Sequence, residues 1–209
     1  MAIRWGYINH NVVSSVEKMR VSKNVARFLN QDEIQRLIEA SRDSYIYTLI
    51  MTALHTGMRK SELLNLKWSE IDFQQRTVTI QSNDDWHTKN YKPRVLQLIP
   101  VLYEVLKAHR QLHLELGIQS DYVFTYRGNR IKWGNNGSLR KILEKAGLED
   151  ISLHTLRHTF ASQLVMAGVP LRDVQELMGH RSYETTLRYA HLSEDHAKKQ
   201  VLKLPFANG

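Results

Sequence analysis

Residues 154–192 read "HTLRHTFASQLVMAGVPLRDVQELMGHRSYETTLRYAHL". On a helix, His154, Arg157 and His158 stand at i, i+3 and i+4 and share one face, while Phe160, Leu164 and Val165 lie largely around the other side and face a core. An imidazole and a guanidinium are then held side by side over whatever fills the adjacent cleft. Gly179 ends the following helix and presents His180, and Tyr189 lies at the far end of the next helix, near the surface. Two readings stay open at this point. In one, the stretch is a solvated basic face followed by a helix-turn-helix, with Ser182, Thr185 and Arg188 on the second helix. In the other, the basic groups and the phenol converge on a single phosphate.

Composition narrows the partners. Lys and Arg outnumber Asp and Glu by 29 to 21, for a formal charge of +8 and a pI near 9.7. That excess favours a polyanion, nucleic acid being the commonest. A hydrophobic content of 42% over 209 residues suits one substantial domain with a true core. The absence of cysteine excludes disulfides, thiol nucleophiles and Cys-ligated zinc, and fits an intracellular setting. The opening "MAIRWGYINHN" lacks the apolar run of a secretory signal, and "YIYTLIMTAL" (45–54) is too short to span a bilayer, so no membrane partner is expected.

Upstream, the hydrophobic period is helical. "LNQDEIQRLIEASR" (29–42) opens with Asn30 and Glu33 in capping-box spacing, and "SYIYTLIMTALHTG" (44–57) reads as a buried helix stopping at Gly57. The period then changes: "RTVTIQ" (76–81) and "PRVLQLI" (93–99) predict a small antiparallel sheet. Helix returns over 101–116, with Leu102, Val105, Leu106, Leu112 and Leu116 as its apolar face. "DYVFTY" (121–126) reads as a short strand or an extended segment before an "RGN" turn. From Gly137 onward only helices are expected, over 138–146, 153–167, 170–178 and 183–192. The fold class is therefore α+β, mainly α-helical, with a small antiparallel sheet between helices.

"HTGMRKSELLNLKWSEID" (55–72) places Arg59 just after the Gly57 turn at a helix start, where an anion is favoured. "TKNYKPRVLQLIP" (88–100) puts Lys89 on or beside a hairpin. His109 and His113 form an H-x-x-x-H pair, but Arg110 stands where a zinc protease has glutamate, so a solvated face is preferred to a metal.

With these positions assembled, the chain resembles the catalytic domain of the tyrosine recombinases, or phage-type integrases, from about residue 25 to 192. "TGMRKSELLNLKWSEID" is similar to the first arginine box, "HTLRHTFAS" to the His-x-x-Arg-His box and "LMGHRSYETTLRYAH" to the final His-to-Tyr box. The separations of 23 positions from Arg157 to His180 and nine from His180 to Tyr189 also fit.

The resemblance implies a site-specific recombinase that acts on double-stranded DNA in the cytoplasm, at the nucleoid. Tyr189 would attack a phosphodiester and form a 3′-phosphotyrosyl link, with no metal, cofactor or ATP. A phenol is mostly protonated at neutral pH, so it needs a base, for which His154 is the first candidate. Arg59, Arg157 and His180 would hold the non-bridging oxygens as charge develops. Lys89 would protonate the leaving 5′-oxygen. Lys92 and Arg94 would contact phosphates, with Lys92 the rival for the acid role. Glu62 would orient Arg59, and His158 would pack behind the site.

Residues 1–24 resemble the last helix of a core-binding domain plus an interdomain linker, so a truncated form or natural fragment is expected, with 25–209 as the catalytic domain and about 193–209 as a tail. At full length the resemblance implies a homotetramer on two duplexes, and in isolation a monomer. A non-catalytic helix-turn-helix protein, a type IB topoisomerase and a histidine-dependent phosphodiesterase are the competing readings.

Overall fold

The computed structural model describes residues 3–10, 27–81, 93–134 and 137–193. Helix α1 (Gln31–Ser41) starts with the expected capping box: the Asn30 side chain accepts from the Glu33 amide, and Glu33 accepts from the Asn30 amide, both at 2.9 Å. Helix α2 (Tyr47–Thr56) runs through the middle of the core, with Leu49, Ile50 and Ala53 at most 1% exposed. Its buried hydroxyls do not oppose this. Thr52 donates to the Thr48 carbonyl at 2.8 Å and Thr56 to the Thr52 carbonyl at 2.6 Å, so an apolar environment leaves no polar group stranded.

After α2 the chain turns at Gly57 into the short α3 (Lys60–Leu64), then a 3₁₀ turn at Trp68–Glu70. A three-stranded antiparallel sheet follows, ordered β1 (Ile71–Asp72), β2 (Thr77–Ile80) and β3 (Arg94–Gln97), with Val78 opposite Leu96 and Ile80 opposite Arg94. The two long strands were predicted; β1 was not, because two residues carry no alternation to read. Val78, Ile80 and Leu96 turn inward and join the core.

Helix α4 (Pro100–Glu115) corrects the predicted apolar face. Leu102 and Leu106 are buried, but Leu112 and Leu116 are exposed, and His113 takes the inner position at 5% exposure. The histidine pair is therefore not a solvated face. His109 meets the Val123 carbonyl at 2.9 Å, and His113 packs edge-on to Trp68. The extended segment at 121–126 ends in a hairpin, β4 (Thr125–Tyr126) with β5 (Asn129–Arg130).

Helices α5 (Gly137–Ala146), α6 (Leu153–Met166) and α7 (Leu171–Met178) match their expected spans closely. The last predicted helix does not form as one piece. It divides into α8 (Tyr183–Leu187) and a 3₁₀ turn (Ala190–Ser193), with Arg188 and Tyr189 between them. A five-residue α8 whose Thr186 is fully buried makes a poor recognition helix. Helix α6 packs along α2 and against α7, and this packing brings the C-terminal ends of α2 and α7 together. Among the described residues no helix is long and apolar enough to cross a membrane.

Candidate active site

The last turn of a helix leaves carbonyls without intrahelical partners, and these favour a cation. Arg157, on α6, uses two such ends at once. Its Nη1 donates to the Gly57 carbonyl at the end of α2, and its Nη2 donates to the Met178 carbonyl at the end of α7 at 2.7 Å. Both turns depend on glycine in the left-handed region, with φ of 58° at Gly57 and 61° at Gly179. A Cβ at Gly57 would lie 2.3 Å from the Phe160 ring, so the turn also lets α6 approach.

Arg59 precedes α3 and reaches the same place. It donates through Nη2 to the Gly179 carbonyl and through Nη1 to Glu62, both at 2.9 Å. Glu62 closes the arrangement. Its side chain is 2% exposed and receives the Arg59 amide at 2.8 Å, while Arg94 adds two bonds of 3.1 and 2.7 Å. Burial alone would push the Glu62 carboxyl up, but Arg94, then Arg59, hold it down at about 2. Arg157 is lowered too, by burial and the charge of Arg59, to about 9, which leaves it charged at neutral pH. Three guanidiniums around one carboxylate leave the cluster positive.

The three imidazoles are all lowered, first by burial. His158 falls to about 4, with His154, Arg188 and Arg157 adding to the effect, and His180 to about 3, with Arg157 and Arg59 adding. His154 is lowered by burial and by Arg157, Arg188 and Arg59. His180 pairs through Nδ1 with the Thr186 hydroxyl at 2.9 Å.

Tyr189 departs from expectation in two ways. It is 3% exposed rather than near the surface, packed with Ala161, Val165, Val174 and Met178. Its hydroxyl lies 2.5 Å from Nδ1 of His158, not against His154, which instead sets its ring edge-on to His158 at 4.4 Å. With the imidazole neutral and protonated on Nε2, the phenol donates and His158 accepts. Burial raises the phenol's pKa, while Arg157 and Arg188 pull it back down.

The structure thus gathers Arg59, Arg157 and His180 at the joined ends of α2 and α7, with Tyr189 held by the residue after Arg157. Arg94, expected to meet phosphates, is turned inward onto Glu62 with its side chain 8% exposed. Lys89 and Lys92 lie outside the described residues. His158 was expected only to pack behind the site, and the contact of Thr186 with His180 went unread. His158 sits one turn beyond His154 in the same box, which was signal enough to consider it, whereas a lone threonine carries none.

The sequence matches the Phage integrase family over residues 27–196. It is 32% identical to the integrase of Salmonella phage P22, over 85% of this chain and 47% of that protein. It is 33% identical to a tyrosine recombinase XerC of Oceanobacillus iheyensis, over 99% of this chain and 70% of that one. Among solved structures, XerA recombinase superposes with a TM-score of 0.69 at 28% identity, covering 90% of this chain and 66% of that one. The XerH site-specific recombinase bound to difH substrate, a pre-cleavage complex, gives 0.66 at 26%, covering 84% and 53%. The chain thus spans about half the length of the P22 integrase and two thirds or so of several others. Matched through its boxes and across most of its length, the chain belongs to the phage integrase family.

Proposed function

We propose that this chain is the catalytic part of a site-specific DNA recombinase that cuts and rejoins strands through Tyr189. One observation carries the reading: Arg59, Arg157 and His180 meet where α2 and α7 end, and the Tyr189 hydroxyl is hydrogen-bonded to His158 on the same face of α6. That the similar XerH structure is a complex with difH substrate supports duplex DNA as the partner.

In the proposed reaction the Tyr189 oxygen attacks phosphorus, the bond to the 5′-oxygen breaks, and a 3′-phosphotyrosyl diester forms. The phenolic proton passes to His158, and Lys89 protonates the departing 5′-oxygen. Arg59 and Arg157 hold the two non-bridging oxygens, on which negative charge grows. A neutral imidazole near 4 is a weak base for a phenol above 10, so transfer is unfavourable in the free protein. A bound phosphate adds negative charge beside the imidazoles, raises their basicity and eases the step. Because Tyr189 is covered, the segment from α8 to the Ala190–Ser193 turn shifts to let the phosphate reach the phenol. Attack by a 5′-hydroxyl of a second duplex reverses the chemistry and completes exchange, within an assembly of four subunits on two duplexes.

A nicked, end-labelled duplex carrying the cognate site, incubated with wild type and Tyr189→Phe, tests this. Wild type is expected to give a protein-linked, slow-migrating band, and Tyr189→Phe none. An equal band from both proteins would refute Tyr189 as the nucleophile.

A further inference from the structure

Arg94 sits on β3, the strand that leads out of residues 82–92, where Lys89 lies. Its guanidinium takes both oxygens of Glu62, Nη1 to Oε1 at 3.1 Å and Nη2 to Oε2 at 2.7 Å. The two side chains are 8% and 2% exposed. Glu62 uses the same two oxygens for Arg59, Oε1 for its Nη1 and Oε2 for its amide. Arg157 Nη1 stands 4.0 Å from Oε2, at the limit of ion pairing.

The arrangement has a consequence for charge. A carboxylate facing only Arg59 and Arg157 would draw both guanidiniums toward itself and neutralise half of their charge. With Arg94 bonded to both its oxygens, Glu62 is satisfied, and Arg157 stays on the carbonyls of Gly57 and Met178. Arg94 also lies against the turn before His180: a Cβ at Gly179 would come within 2.8 Å of its Nη1 and 3.2 Å of its Cζ. One side chain therefore meets Glu62, which holds Arg59, and lies against the turn that carries His180, and it joins both to the sheet.

We propose that Arg94 is a positioning residue for strand cleavage, acting through Glu62 and the Gly179 turn, and not a phosphate contact. This rests on the reading of the chain as a recombinase.

The test compares wild type with Arg94→Gln and Arg94→Lys by three readouts. On the nicked cognate duplex, the cleavage rate of Arg94→Gln is expected to fall 10- to 100-fold, and Arg94→Lys, which keeps the charge, to recover part of the loss. Duplex affinity stays within twofold and its salt dependence is unchanged, whereas losing a phosphate contact would reduce the slope of log K against log salt by about 0.9. Carbon-detected NMR of the Glu62 carboxylate is expected to show it ionised into strong acid in wild type and titrating at higher pH in Arg94→Gln. A slope reduced by about one, or wild-type cleavage by folded Arg94→Gln, would overturn the proposal. So would identical Glu62 titrations in the two proteins. If wild type itself forms no adduct, the recombinase reading fails separately, and the titration still decides whether Arg94 governs Glu62. Should Arg94→Gln not fold, Arg94→Lys carries the same comparisons.

Discussion

Thr186 bears on which nitrogen of His180 carries the proton. Its hydroxyl, fully buried, lies against Nδ1. When it donates there, the neutral imidazole carries its proton on Nε2, which can then donate to a phosphate oxygen. Thr186→Val is therefore expected to slow cleavage about 10-fold through the loss of one orienting hydrogen bond, while Thr186→Ser keeps most activity. Equal rates for Val and Ser would show that the threonine only fills space. The same logic separates His158 from His154. The sequence offered His154 to Tyr189 and left His158 to pack behind the site, and only coordinates show that the imidazole in hydrogen-bond reach is His158.

At the scale of elements, two helix ends make the site, and each end is a glycine. Gly57→Ala places a side chain in the left-handed region and drives a Cβ into Phe160, so unfolding stability should drop by roughly 2–4 kcal/mol, seen as a lower denaturation midpoint. An unchanged midpoint would mean that α6 does not depend on this turn. Both glycines were legible as helix stops, and the long strands and α6 and α7 were legible from their periods. Helix α4 was misread because Leu112 and Leu116 outrank His109 and His113 in hydrophobicity, although the face that packs on Trp68 carries the histidines. The inward turn of Arg94 was hidden for another reason. Its partner Glu62 is 32 positions away, and a surface arginine and a buried one look alike until the strand is placed. The burial of Tyr189 was hidden likewise, because it follows from α8 stopping after five residues.

For the molecule as a whole, burial works against protons. His55, His109, His113, His154, His158 and His180 all have pKa values lowered chiefly by burial, and Glu62 is held at about 2 by its arginines despite burial. Groups with depressed folded-state values stabilise the fold above their unfolded values and lose that contribution as pH falls. Stability should therefore decline from just below pH 6.5, where unfolded histidines take up protons, and again below the ordinary value of 4.5 for Glu62, which alone contributes on the order of 3 kcal/mol. Urea midpoints measured from about pH 7.5 down to about pH 2 check this, and a flat profile would contradict it. The central claim is chemical, and one measurement reaches it most directly: trap the protein on a nicked cognate duplex, digest it, and locate the nucleotide-bearing peptide by mass spectrometry. The account predicts a 3′-phosphonucleotide on Tyr189 and a free 5′-hydroxyl on the released strand. Attachment to Tyr183 or to a histidine, or a link through a 5′-phosphate, would contradict it.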